Sequence, residues 1–233
     1  MKFRSTKPFW FFLPFIIHLL LPGKILGQQH FRIKADFSIK EKNADSTVNL
    51  TVGTVYYDKV IKKVIYDVSF PRKETWIIQD TAVYKIVNGK VIEKVKATSI
   101  AEFTIFHMAL SGSLGEYGLK EMPFKLTSVE KEDSMIIATW KPEEKVQKMF
   151  GKIVMSKVNR KIYGIVFFKS NGKIAGKQFF RKYKKITGVD FPTEVMQINY
   201  TPSGTNQQIT TFKNIVIDQA NDKKLFDRAI PAQ

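Results

Sequence analysis

Residues 82–96 read AVYKIVNGKVIEKVK, and this stretch decides the fold class. Two runs in which apolar and polar residues alternate, 82–87 and 91–96, flank the dipeptide Asn88-Gly89. Asn-Gly between two such runs favours a type I′ turn, because both central residues of that turn need a positive φ. The stretch therefore predicts two antiparallel strands joined by a tight hairpin.

The rest of the chain from residue 32 repeats this pattern of short alternating runs broken by turn residues. Asn171-Gly172 predicts a second two-residue hairpin turn, and Pro202-Ser203-Gly204 predicts another tight reversal. The further runs that are typical of strands are 32–40, 47–57, 63–70, 75–79, 124–130, 134–140, 152–158, 162–168, 174–183, 193–200 and 208–217. We predict a mainly β (α+β) fold, a half-open antiparallel β-barrel of about eleven strands with a helical lid.

One segment has helical spacing. Its apolar residues and one histidine recur at intervals of three or four, at Ile100, Phe103, Phe106, His107 and Leu110. Ser99 is a suitable N-cap, and Gly112 follows the end. We predict an amphipathic helix of about three turns over residues 100–110. Residues 141–151 fit a shorter helix or a basic loop equally well.

A meander with one sizeable helix must cover an apolar sheet face, and a helix laid across that face does so. The predicted lid and cavity residues are Ile100, Phe103, Phe106 and Leu110 of the helix and Tyr66, Val68, Trp76, Ile78, Phe167 and Met196 of the strands. The same periodicity fits a filled core and a hollow apolar cavity.

The first 27 residues have the pattern of a secretory signal peptide. Basic residues precede the apolar run 9–21, and the segment ends on the small residue Gly27. We predict cleavage after Gly27, export to the periplasm and a single domain of residues 28–233. An uncleaved membrane anchor is the alternative, although the apolar run is short for a bilayer span.

The chain of 233 residues carries 38 Lys and Arg against 21 Asp and Glu, and it contains no cysteine. The absence of cysteine excludes disulfides, thiolate metal sites, a cysteine nucleophile and a lipid anchor on cysteine. The positive charge suits phosphate groups or an acidic partner, although a solvated lysine face explains it more simply. Export and the absence of a nucleic-acid motif argue against nucleic acid as a partner.

Catalytic signatures are also absent from the sequence. Three histidines lack a second ligand at metal spacing, and neither G-x-S-x-G nor a glycine-rich phosphate loop occurs. We therefore expect no catalytic residues, no metal site and no cofactor, and we expect that the protein is not an enzyme.

The order of several segments resembles the LolA-like outer-membrane lipoprotein carriers of the LolA/LolB superfamily. The segments that carry the resemblance are Ala35-Asp36-Phe37, Gly53-Thr54-Val55-Tyr56-Tyr57, residues 66–71, residues 76–84, and an end formed by residues 212–217, Leu225-Phe226 and Pro231. The Phe-rich residues 163–180 look most like the members of this family found in Bacteroidetes-type bacteria.

The resemblance implies an incomplete barrel whose apolar face receives the acyl chains of lipoproteins in transit to the outer membrane. It implies a periplasmic monomer whose partners are acylated lipoproteins, an inner-membrane release complex and an outer-membrane acceptor. Only residues 28–34 precede Ala35, where family members usually have an amphipathic helix. The alternative is a non-catalytic envelope interaction protein with a filled β-fold that docks to a membrane or a protein.

The resemblance also places a lysine at a position of special interest. The arginine that gates the lid in the family falls on Lys59 here, and lysine lacks the planar five-donor fork of arginine. We predict that Lys59, Lys62 and Lys63 lie at the rim and contact a partner through complementary charge.

Overall fold

The computed structural model describes residues 29–96, 104–218 and 222–232. Within these residues one antiparallel sheet contains thirteen strands. In chain order they are β1 (Arg32–Lys42), β2 (Val48–Asp58), β3 (Lys63–Phe70), β4 (Glu74–Gln79), β5 (Ala82–Val87), β6 (Lys90–Lys96), β7 (Phe124–Glu132), β8 (Met135–Pro142), β9 (Ile153–Val158), β10 (Lys161–Phe168), β11 (Ile174–Ile186), β12 (Val189–Thr201) and β13 (Gly204–Ile217). Two short helices, α1 (Ile105–Leu110) and α2 (Lys223–Phe226), and two single turns of 3₁₀ helix complete the described elements.

Every alternating run quoted above is a strand, so the expected count of about eleven was too low. The strand order is β6-β5-β4-β3-β2-β1-β13-β12-β11-β10-β9-β8-β7. Two meanders therefore meet at the β1–β13 pair, whose register runs from Ile33 opposite Ile217 to Lys42 opposite Gln207. The edge strands β6 and β7 do not pair with each other, so the sheet is open and the barrel is not closed.

The predicted turns are confirmed at two of three places. Asn88 and Gly89 have φ values of 49° and 73°, as a type I′ turn requires. Thr201 pairs directly with Gly204, so the reversal at Pro202 is tight.

The turn at Asn171-Gly172 is longer than two residues, and that prediction was wrong. Gly172 has a φ of 80° and donates its N–H to the Lys169 carbonyl at 2.9 Å, whereas Asn171 is not at positive φ. The Asn171 side chain instead accepts a hydrogen bond from the Lys173 N–H at 3.1 Å. This local bond favours a longer reversal between Lys169 and Lys173.

The helix begins later than the sequence predicts. Thr104 is extended, and its hydroxyl accepts the His107 N–H at 3.3 Å, so Thr104 is the N-cap and α1 starts at Ile105. Threonine is a favourable N-cap residue, because its hydroxyl accepts a hydrogen bond from an otherwise unpaired N–H of the first turn. The predicted N-cap Ser99 and the helix residues Ile100 and Phe103 lie outside the described residues.

Residues 143–151 form successive turns and no helix, so the basic-loop interpretation applies. Phe150 donates its N–H to the Val146 carbonyl at 3.0 Å, but the next residue turns away. Gly151 donates instead to the Phe168 carbonyl at 3.0 Å. The hydrogen bond from Gly151 to the end of β10 thus holds the loop and ends the helical turn.

The two faces of the sheet carry separate apolar clusters. The face that carries α1, here called the inner face, contributes buried residues from nine strands to one cluster with α1. The other, outer face has a smaller cluster in which Phe226 of α2 packs edge-on against Tyr56, with ring centroids 5.6 Å apart. The sheet therefore curves around α1, and the C-terminal segment, residues 222–232, packs against the outer face of the sheet.

The backbones of β2 and β3 come close together at Gly53. A Cβ atom at Gly53 would lie 2.0 Å from the Asp67 carbonyl oxygen, which is backbone and cannot move aside. We expect Gly53→Ala to lower the free energy of unfolding by about 3 kcal/mol, at the upper end for overpacking. Gly115→Ala is the control, because no atom lies within 4 Å of its Cβ position. Equal denaturation midpoints for the two variants would contradict this prediction.

Candidate functional site

Phe106 is the centre of the contact between α1 and the sheet. Its side chain is 1% exposed. Its ring stacks on Tyr57 and on Phe191, with centroids 6.1 and 6.0 Å away, and it meets Phe212 edge-on at 5.3 Å. Aromatic pairs at these distances add stabilisation beyond the area that they bury. One side chain of α1 thus joins β2 of the first meander to β12 and β13 of the second.

Two polar contacts fix α1 against β2 and the residue that follows it. The Tyr57 hydroxyl and the His107 Nδ1 atom are 2.6 Å apart. The Lys59 ammonium group donates to the Leu110 carbonyl at 3.3 Å, at the C-terminal end of the helix, where a positive charge is favourable.

The position that matches the gating arginine therefore does contact α1. Lys59 is half-buried, and its ammonium group points to the helix. Its role as a partner contact stays a prediction. The hydrogen bond to a single carbonyl needs only one donor, which lysine supplies without the arginine fork.

Most predicted cavity residues lie together on the inner face. Val68, Phe106 and Leu110 are buried in its cluster. The half-buried residues that pack against this cluster include Tyr66, Trp76, Ile78 and Phe167. Alternation along the strands was sufficient to find them.

Met196 does not belong to this group. Its neighbours Val195 and Gln197 line the inner face, beside α1. Successive side chains of a strand point to opposite faces, so Met196 lies on the outer face. The sequence prediction placed it wrongly, because both faces of β12 carry large residues.

An ionic contact that the sequence reasoning missed holds Trp76 in place. The Trp76 Nε1 atom donates to the buried Glu74 carboxylate at 2.8 Å, and Arg72 Nε donates to its other oxygen at 2.8 Å. Burial raises the pKa of Glu74, but the hydrogen bonds from Arg72 and Trp76 and the charge of Lys85 hold that pKa below its usual value. Nearby, burial raises the pKa of the Tyr66 hydroxyl to about 12.

The space at the N-terminal end of α1 is small and partly polar. A cavity of about 170 Å³ lies between the N-terminal end of α1 and the strands. Gln178, Gln197, Gln208 and Thr210 form its polar side. Pockets for small molecules are usually about 300 Å³ or more, so α1 must move before a long apolar ligand can bind here. The sequence reasoning missed these glutamines, which sit among apolar residues on the same strand faces.

Lys63 is buried and not on the rim, contrary to the prediction. Its side chain is 6% exposed and points to the outer face. The ammonium group lies 2.5 Å from the Asp227 carboxylate and donates to the Arg228 carbonyl at 3.2 Å. Arg228 in turn binds Asp67 through two hydrogen bonds. These contacts hold the C-terminal segment on the sheet, and only Lys62 of the three lysines is exposed.

Reversing the charge at Lys63 should therefore lower the stability of the folded protein. Lys63→Glu places a buried carboxylate opposite the Asp227 carboxylate. We expect the free energy of unfolding to fall by about 3 kcal/mol. This value is at the low end for breaking a buried ion pair, because Asp227 is largely exposed. Lys62→Glu is the matched control, with an expected change of about 1 kcal/mol or less. Chemical denaturation of both variants measures the difference, and equal losses would refute the tethering role.

In residues 29–96, 104–218 and 222–232 no group of three or more His, Cys, Asp or Glu is arranged to hold a metal ion. Across the same residues, none of the helices has the length and apolarity that a membrane crossing needs.

No protein-family model matches the sequence, and no curated protein has a significantly similar sequence. Solved structures do resemble it. A LolA superfamily protein from Nitrosomonas europaea matches with a TM-score of 0.58 at 12% identity, over 86% of this chain and 92% of its own. An outer-membrane lipoprotein-sorting protein domain from Vibrio parahaemolyticus matches with a TM-score of 0.58 at 10% identity, over 83% and 88%. A DUF1329 family protein from Desulfovibrio piger matches with a TM-score of 0.52 at 11% identity, over 86% and 91%. These likenesses, together with the open sheet around α1, show that this chain has the LolA-like fold.

Proposed function

We propose that this protein is a non-catalytic periplasmic carrier that binds the acyl chains of lipids or lipoproteins on the inner face of its sheet. The proposal is supported by the LolA-like fold and by the name of the neighbour from Vibrio parahaemolyticus, a lipoprotein-sorting domain. In the same proposal, an inner-membrane complex loads the carrier and an outer-membrane acceptor unloads it.

The observation that carries the proposal is the position of α1. A helix of six residues, in a domain made mostly of strands, occupies the apolar inner face and inserts Phe106 among Tyr57, Phe191 and Phe212. If α1 moves away, these rings form a ready surface for acyl chains. In this proposal α1 occupies the binding surface when no ligand is bound.

The energetics suit reversible transport. Each buried methylene group contributes about 0.8 kcal/mol, so an acyl chain cannot cross water unshielded. The displaced contacts of α1 offset part of that gain, which keeps the cargo removable. Aromatic side chains bind acyl chains without the directional hydrogen bonds that would fix one ligand.

A second candidate function is an envelope interaction protein with a filled interior. The cavity of about 170 Å³ at the N-terminal end of α1 favours this alternative, because it is too small for an acyl chain while α1 stays in place. In that case α1 is a permanent part of the core, and the basic surface docks to a protein or a membrane.

Analysis of the material bound to the protein separates the two functions. The protein is isolated from the periplasm, extracted with organic solvent and analysed by mass spectrometry. We expect acyl lipid or lipoprotein in a stoichiometric amount. A protein that is free of lipid, and that takes up none when it is mixed with a fluorescent fatty acid, would refute the carrier and favour the interaction protein.

A further inference from the structure

The loop formed by residues 143–151, between β8 and β9, exposes two large apolar side chains. Met149 is 70% exposed and Phe150 is 47% exposed. Single exposed apolar residues are common on soluble proteins, but two adjacent ones at the tip of a loop are a stronger sign of a contact surface.

The loop is held in this position by backbone contacts. Gly151 donates to the Phe168 carbonyl, and Phe168 donates to the Lys152 carbonyl, both at 3.0 Å. A Cβ atom at Gly151 would lie 2.2 Å from the Lys169 carbonyl oxygen, so the two backbones are in close contact. The 143–151 loop and the turn between β10 and β11 therefore form one continuous surface with Met149 and Phe150 at its tip.

Lysines surround this tip. Lys148, Lys152, Lys169 and Lys173 are all exposed on the loop and on the adjoining turn. The Lys152 ammonium group lies 4.9 Å from the centroid of the Phe168 ring. Residues 141–152 and 168–174 together contain six lysines and two glutamates, and Glu143 is already paired with Lys145 at 3.0 Å. The surface is thus strongly positive as well as apolar.

A cleft connects this surface with the inner face. It has a volume of about 520 Å³ and lies between the loop and the turn, with Phe150 and Phe168 among its lining residues. Phe124 and Phe167 also line the cleft, and both pack against the inner-face cluster. The cleft beside the loop is therefore bordered by residues that also pack against the inner-face cluster.

We propose that this end of the sheet docks on an anionic lipid bilayer, with Met149 and Phe150 inserted among the lipids and the four lysines bound to lipid phosphates. Lysines at the level of the headgroups and apolar side chains just below them are the combination that membrane surfaces retain. An acidic protein would be attracted by the lysines but would leave the exposed Met149 and Phe150 without a matching environment. This inference goes beyond the carrier proposal, because it depends on the loop and not on what the inner face binds.

Vesicle sedimentation tests the docking. The exported, processed protein, its N-terminus verified by mass spectrometry, is mixed with vesicles that contain phosphatidylglycerol and with vesicles of phosphatidylcholine alone. We expect binding to the anionic vesicles, weakened by high salt, and little binding to the neutral ones. The double variant Met149→Ser and Phe150→Ser should bind the anionic vesicles about tenfold less tightly, because the apolar insertion is lost.

The matched control changes two exposed apolar residues near the β7–β8 turn, at the other end of β8 from the loop. The double variant Val129→Ser and Ile136→Ser on β7 and β8 should bind like the unchanged protein. Thermal denaturation should show that both double variants remain folded. Failure of the unchanged protein to bind anionic vesicles, or equal binding by the two variants, would overturn the proposal and leave an acidic protein as the partner of the lysines.

A fluorescent label gives a second measurement that does not depend on affinity. The chain has no cysteine, so Met149→Cys carries the only thiol for an environment-sensitive dye. We expect its emission to shift to the blue with phosphatidylglycerol vesicles, whereas the same dye at Val129→Cys should not shift. An unshifted emission at position 149 would show that the loop does not enter the bilayer.

Discussion

Covalent attachment of α1 to the sheet is expected to abolish lipid uptake. Ile105 of α1 and Gln208 of β13 line the same cavity of about 170 Å³, so a short bifunctional maleimide can join cysteines at these positions. The attached helix cannot leave the inner face, and the population of the open state falls. Because apparent affinity scales with that population, we expect uptake of a fluorescent fatty acid at least about tenfold lower than before cross-linking.

The control for this experiment uses the same reagent at a harmless place. Glu130 and Ile137 are paired on the outer face of the β7–β8 hairpin, because the next residue, Ala138, points to the inner face. A cross-link between these two positions should leave uptake unchanged. If the α1 cross-link leaves uptake unchanged too, then α1 does not control access to the inner face. The carrier proposal would then need another route for the ligand.

Shortening the central side chain of α1 should have the opposite effect on binding. Phe106→Ala removes a buried ring, which in a fixed core costs about 3–5 kcal/mol in the free energy of unfolding. If α1 can detach, the loss weakens the closed state relative to the open one, and the apparent affinity for fatty acid should rise by about tenfold or more. The stability of the protein without ligand should fall at the same time.

Phe226→Ala separates this effect from general destabilisation. Phe226 is as buried as Phe106, but it lies on the outer face. We expect it to lower stability without tightening the binding of fatty acid. If both variants lose binding together, then α1 is a core helix, and the interaction protein is the better hypothesis.

The strands could be predicted from the sequence because one face of each is buried, and burial imposes alternation on the sequence. The start of α1 could not, since the helical spacing continues upstream of Thr104 and only the cap hydrogen bond marks the boundary. A cap depends on one hydroxyl and one N–H, and serine at position 99 offers a hydroxyl as well.

The burial and the contacts of individual charged residues were the hardest features to predict from the sequence. Lys62 and Lys63 are neighbours in a basic cluster, yet one is exposed and the other is buried against Asp227. What buries Lys63 is a segment far away in the sequence, and no local pattern carries that information. The same reason hides the contact between Lys59 and the Leu110 carbonyl, although the resemblance to the family did direct attention to that position.

The strand order has a mechanical consequence. β6 and β7 are the two free edges of the sheet, and the only chain that joins them directly is residues 97–123, which contain α1. Of this connection the structure describes residues 104–123, and α1 within it packs on the inner face. The helix at the proposed entrance is thus part of the chain that links the two margins of the sheet. In the proposed carrier, a movement of α1 would therefore be transmitted along the chain to β7.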